Sequence, residues 1–116
     1  FMKRVEIHTK TEFMRPILDA LTKVGVGGLT VTQVRGRGKN AVPVVRGLRG
    51  SAKFVADFNV RNLIYTIVND EQTDSVIDAV LGAVQGQEIE AFGKVFVTNI
   101  EEAVDLTTGE RGIKSL

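Results

Sequence analysis

Residues 3–9, Lys3-Arg4-Val5-Glu6-Ile7-His8-Thr9, alternate polar with apolar. Val5 and Ile7 face one way and Arg4, Glu6 and His8 the other, the pattern of a half-buried strand. A turn is expected at Lys10-Thr11-Glu12. The period then changes. Ile17, Ala20, Leu21 and Val24 recur at helical spacing, which predicts a helix over 14–24. Pro16 fits its first turn, where a missing N–H costs little, and Gly25 stands where a left-handed residue ends a helix. Gly27-Gly28 turn the chain into a second strand over 29–34, β-branched and alternating. A third run of strand formers covers 54–68. Phe54, Ala56, Phe58 and Val60 share one parity there, and Leu63, Tyr65 and Ile67 the other, so a bulge or bend is predicted at Arg61-Asn62. A second helix is predicted over 71–84, capped by Asn69 or Asp70, with acids in its first turn. Val76, Ile77, Val80, Leu81 and Val84 form its buried stripe. A loop over 85–93 leads to a fourth strand over 94–100, and the tail offers a helical turn at Glu102-Ala103-Val104.

The order is β-α-β-β-α-β, the α+β ferredoxin-like split pattern with a long loop between strands 2 and 3. Two helices cover one face of a four-stranded antiparallel sheet. The other face is expected to carry Val5 or Ile7, Val31 and Phe58, too apolar to leave wet, which predicts burial in an oligomer.

Composition adds limits. The 116 residues suit one domain. With no cysteine there is no disulfide, thiolate metal site or Cys nucleophile. No secretory or long apolar run stands out, so a cytoplasmic location is expected. Phe1, ahead of Met2, is read as an appended residue outside the fold.

Charge singles out residues 35–53. Arg35, Arg37, Lys39, Arg46, Arg49 and Lys53 lie there with no acid, six of the fifteen basic residues, so the rest of the chain holds nine basic against fourteen acidic. A cationic loop on an acidic body suits an anionic ligand or partner, or is a solvated hairpin tip. Gly36 and Gly38 let backbone N–H groups approach a phosphate, with charge from Lys39 and Lys94; a hinge and a solvated lysine are the plainer readings. His8, the single histidine, has no nucleophile or orienting carboxylate matched to it, so no catalytic role is read. Asp70, Glu71, Asp74 and Asp78 are spaced as a helix start and solvated face, not as a metal site.

Several motifs carry a resemblance in order along nearly the whole chain. They are Gly28-Leu29-Thr30-Val31-Thr32, Gly36-Arg37-Gly38-Lys39, the long loop, Phe54-Val55-Ala56-Asp57-Phe58, Gly93-Lys94-Val95-Phe96-Val97 and Thr108-Gly109-Glu110-Arg111-Gly112. Together they resemble the PII signal-transduction proteins. The resemblance implies one PII-like domain over 2–116 and a homotrimer, with 35–53 as the T-loop that grips a transporter or metabolic enzyme, and membrane recruitment where that partner is a transporter. It implies an adenine nucleotide (ATP, ADP or AMP) between subunits, held by Thr30, Gly36, Gly38, Lys39, Gly93 and Lys94, with His8 and Ile67 as cleft walls. Arg35, Arg37, Arg46, Arg49 and Lys53 become the partner-binding cations. It implies a regulator, not an enzyme, with no nucleic acid as partner.

The chain also departs from that family. Two phosphate-binding arginines expected before the Thr-Gly are matched by Asp105 and Thr107. Asn40 replaces the glutamine that binds 2-oxoglutarate through a metal, and Arg61 its lysine partner. These changes count against 2-oxoglutarate and Mg²⁺ and leave Asn40 and Arg61 as weaker ligand candidates. The Gly-Asp-Gly-Lys element is Ala91-Phe92-Gly93-Lys94, and Tyr65 is the only tyrosine, so the loop has none to modify. An RNA-binding module of the same topology is the alternative. Residues 49–58 echo its motif faintly, with Ser51 in place of a stacking aromatic.

Overall fold

The computed structural model describes residues 1–37, 44–46, 53–55 and 59–116, the two short central runs as backbone. Strands β1 (Met2–Thr9), β2 (Thr30–Gly36), β5 (Asn59–Asn69) and β6 (Lys94–Ile100) make one antiparallel sheet in the order β2-β5-β1-β6. Helices α1 (Met14–Val24) and α2 (Thr73–Val84) pack on each other beside it. The ferredoxin-like α+β expectation holds. Strands β3 (Val44–Arg46) and β4 (Lys53–Val55) form a separate ribbon, Val44 opposite Val55 and Arg46 opposite Lys53.

β1 is the centre of the sheet. It pairs with β5 from Met2↔Asn69 to Thr9↔Asn62, and with β6 from Met2↔Ile100 to His8↔Lys94. Residues directly opposite share a face. Val5, Ile7, Ile64 and Val68 therefore point to the helices and are buried with Phe13, Ile17, Leu21, Val76 and Val80. The same face of β5 carries Asn62 and Thr66, also buried. Their polar atoms are satisfied: Asn62 Nδ2 donates to Thr11 Oγ1 at 2.9 Å and Thr66 Oγ1 to the Gly28 carbonyl at 2.6 Å.

Several expectations are corrected. The register of β5 with β1 and β2 runs one for one through Arg61-Asn62, so there is no bulge there. The change of phase arises because the run is divided: 53–55 pairs with 44–46, and only 59–69 joins the sheet. The open face does not carry Val5 or Ile7, which are covered by helices. Val31, opposite Ile64, is also on the helix side, exposed because β2 is an edge strand; Phe58 lies outside the described residues. The open face carries Arg4, Glu6 and His8, flanked by Leu63, Tyr65, Ile67 and Phe96. The turn after β1 is a 3₁₀ turn over Thr11–Phe13 that buries Phe13. No helical turn forms at 102–104, where Val104 bridges to Arg111.

The predicted stripe of α2 is fully buried only at Val76 and Val80; Ile77 and Val84 are half-buried and Leu81 is exposed. The helix caps read as expected. Gly25 ends α1 with φ +87°, its N–H bonded back to the helix. Asn69 Oδ1 accepts from the Glu71 N–H at 3.2 Å, and Gln72 Oε1 from the Asn69 N–H at 3.3 Å. A single 3₁₀ turn, Asp70–Gln72, separates that cap from α2.

Truncation should register this division between buried and open positions. Ile64→Ala, at the fully buried centre, is expected to cost about 2–5 kcal/mol. Leu81→Ala, 44% exposed, should cost about 1 kcal/mol or less. Urea midpoints at constant slope measure both.

Candidate functional site

The residues singled out in the sequence fall in three places. The first is the corner where β1 ends and β6 begins. Lys94 lies directly opposite His8, and Gly93 is pressed so closely on β1 that a Cβ there would collide with the His8 carbonyl oxygen. Only glycine fits that contact. The preceding Phe92 has φ +47°, uncommon for a residue with a side chain. Its ring lies under the Lys10 ammonium, 4.6 Å from Nζ to centroid.

The second place is a cavity of about 570 Å³ at the opposite end of the fold. Gly27, Gly28, Thr30, Tyr65 and Ile67 line it, and Ile113 and Leu116 of the tail close one side. Thr30 and Ile67 are thus together. Thr30 and Lys94 are not: they sit on the outer strands, three strand spacings apart, about 14 Å.

The third place is the end of β2. Gly36 pairs with Asn59 and Arg35 with Val60. Among the described residues nothing lies within 4 Å of where a Gly36 Cβ would stand. Arg37 follows on the surface. Arg61, half-buried, faces Val34 on the open sheet face. Gly38, Lys39, Asn40 and Arg49 lie outside the described residues. Arg46 and Lys53 are placed only as paired backbone at the end of the ribbon.

The sequence did not reveal what joins these places. Along β1, the Arg4 guanidinium meets Glu6 Oε1 at 2.7 Å, and His8 Nε2 meets Glu6 Oε2 at 3.3 Å. Arg4 also lies over the Tyr65 ring, 3.7 Å from its centroid, and His8 meets Phe96 edge to face at 5.4 Å. The hydrogen bond from Arg4 holds the Glu6 carboxyl below its ordinary range, with a second contribution from His8. The alternation of Arg4, Glu6 and His8 was visible in the sequence, but the aromatic partners depend on register.

Residues 102–112 make a tight turn. The Asp105 carboxylate accepts from the Thr107 N–H at 2.7 Å and the Thr108 N–H at 3.0 Å, and the Gly109 N–H returns to the Asp105 carbonyl at 2.8 Å. Those bonds, Thr108 first, hold the Asp105 carboxyl below its ordinary range. Gly109 supplies the required positive φ, +74°. Arg111 pairs with Glu102 at 3.4 Å.

The family model for nitrogen regulatory protein P-II matches residues 2–110. The chain belongs to the P-II family. It is 34% identical to the nitrogen regulatory protein P-II of Rhizobium meliloti strain 1021 over 99% of this chain and all of that protein. It is 33% identical to nitrogen regulatory protein P-II 2 of Methanothermobacter thermautotrophicus, over the whole chain and 98% of the relative. Among solved structures it resembles B. subtilis GlnK, with TM-score 0.76 and 25% identity, covering 99% of this chain and 98% of that one. It also resembles Arabidopsis thaliana PII bound to citrate, with TM-score 0.75 and 27% identity, covering 99% and 92%. P-II proteins are signal-transduction regulators that bind small-molecule effectors and act on partner proteins. Among the described residues no helix is long and apolar enough to cross a membrane.

The Glu6 contacts have a pH signature. A carboxyl held low in the folded protein adds stability above its ordinary range near 4.5, and that stability fades as pH falls through the lowered folded value. Stability against urea should therefore drop below pH 4.5, and less so in Glu6→Gln. Equal losses in both proteins would place the acid sensitivity elsewhere.

Proposed function

We propose that this P-II protein is a homotrimeric cytoplasmic regulator, not an enzyme, that binds an adenine nucleotide between subunits. Thr30 and Ile67 of one subunit receive the uncharged part of the nucleotide. Gly36, Gly38, Lys39, Gly93 and Lys94 of a neighbour receive its phosphates, with His8 as a wall. The loop over 35–53 engages a transporter or metabolic enzyme through Arg35, Arg37, Arg46, Arg49 and Lys53.

The observation that carries this reading is the separation of recess and charge. The glycine-lined cavity, at about 570 Å³, falls in the usual range for small-molecule sites. The lysine corner lies on the other edge strand, and a second copy would bring the two kinds of surface together. The open sheet face supports the assembly, since Leu63, Tyr65, Ile67 and Phe96 flank a polar column that a neighbouring sheet would cover.

Asp105 bears on which nucleotide is preferred. It sets a carboxylate where the family resemblance leads one to expect an arginine, and like charges repel. Each added phosphate should therefore bring less affinity than a cation at that position would give, and AMP or ADP should compete well with ATP.

Calorimetry with AMP, ADP, ATP, cyclic AMP and 2-oxoglutarate tests the reading directly. Lys94→Ala should weaken nucleotide binding by about 1–3 kcal/mol, the loss of a charge-assisted hydrogen bond. Unchanged affinity in a folded variant would make Lys94 a solvated lysine. Assembly is checked separately by light scattering at micromolar concentration, where a trimer mass is expected and a stable monomer would remove the inter-subunit site.

A further inference from the structure

The cavity that holds Thr30 and Ile67 also reaches the cap ahead of α2, so Asn69 and Gln72 stand in its lining. Each side chain is a planar amide, with two N–H donors and a carbonyl oxygen that accepts two bonds. The cap uses the two unequally. Asn69 Oδ1 accepts from the Glu71 N–H at 3.2 Å and, in the capping box, from the Gln72 N–H, so both of its acceptor positions are spent. Gln72 Oε1 accepts one bond, from the Asn69 N–H at 3.3 Å. Among the described residues Gln72 Nε2 has no partner. Gln72 therefore keeps an acceptor position beside two donors, on an amide whose oxygen is anchored to the backbone, and it is exposed to an incoming ligand.

The hydroxyls of the cavity offer something different. Thr66 Oγ1 is buried and gives its proton to the Gly28 carbonyl at 2.6 Å. Thr30 and Tyr65, directly opposite each other on β2 and β5, each carry donor and acceptor on a single atom. A donor and an acceptor side by side in one plane match a heterocycle edge that sets a ring nitrogen next to an amino group. Adenine presents such an edge.

We propose that Gln72 is a specificity-determining residue of the cavity: its amide pairs with the edge of adenine, Nε2 donating to a ring nitrogen and Oε1 accepting from the neighbouring amino group. The inference rests on the nucleotide reading and names the side chain that recognises the base. One residue then serves two purposes, since the bond that closes the cap also orients the amide for the ligand.

Calorimetry on the wild type compares AMP with 1-deaza-AMP and 7-deaza-AMP, each lacking one ring nitrogen that flanks the amino group, and with purine riboside monophosphate, which lacks the amino group. AMP is expected to bind about tenfold more tightly than the purine riboside compound and than one of the two deaza compounds. Gln72→Glu keeps an oxygen for the Asn69 N–H, as a capping box requires, and loses the N–H donor. In that variant AMP should bind about tenfold more weakly, and no better than the same deaza compound. The ratio of two affinities within one protein is insensitive to the added charge and to any change in the cap. Equal binding of AMP and both deaza compounds to the wild type overturns the inference and leaves the nucleotide reading standing. A deaza penalty that persists undiminished in Gln72→Glu does the same. No binding of AMP, ADP or ATP overturns both.

Discussion

The fold depends on the register of β1. This strand pairs along its whole length with β5 and along most of it with β6. Because side chains alternate, that register alone decides which residues meet the helices. A slip of one residue would exchange Val5 and Ile7 for Arg4, Glu6 and His8 and put three ionisable groups against Ile17 and Leu21. The desolvation of unpaired charge makes such a slip prohibitive. The apolar half of β1 therefore fixes the core, and the same geometry fixes the polar column behind it.

That column relates the fold to the site. Glu6 joins Arg4 and His8 along one strand, while Tyr65 and Phe96 bracket them from the neighbours on either side. Its far end reaches Lys94 and the Gly93 contact. The Gly93–Lys94 corner is thus an extension of the best-paired strand of the sheet, and the loop over 85–93 is tied to it through the Lys10–Phe92 contact.

Both helices, four sheet strands and the Gly25 and Asn69 signals were legible in the sequence because each rests on short-range periodicity or capping. The faces of β5 were not. Leu63, Tyr65 and Ile67 are as apolar as their neighbours Ile64 and Val68, so alternation alone does not choose between them. The register with β1 makes the choice, and Asn62 and Thr66 can lie on the buried side because they find partners in Thr11 and Gly28, far away in sequence. The division of residues 54–68 was hidden for a related reason, since strand formers do not state which strand they pair with. Within the candidate site, Gly93 and Lys94 were found through motif order, whereas Arg4, Glu6 and Tyr65 entered only with cross-strand geometry. At 102–104 the residues favour a helix locally, and the Asp105 carboxylate overrides them by bonding two backbone N–H groups.

Asp105 is a structural residue, whatever its charge does for a ligand. An arginine in its place would offer a cation to a phosphate but has no acceptor for the Thr107 and Thr108 N–H groups. The turn would lose the bonds that shape it, and the Val104–Arg111 bridge with them. The conformation of residues 105–109 is therefore encoded largely in one side chain. A basic residue at 105 would require another acceptor for the two N–H groups, and so a differently built turn.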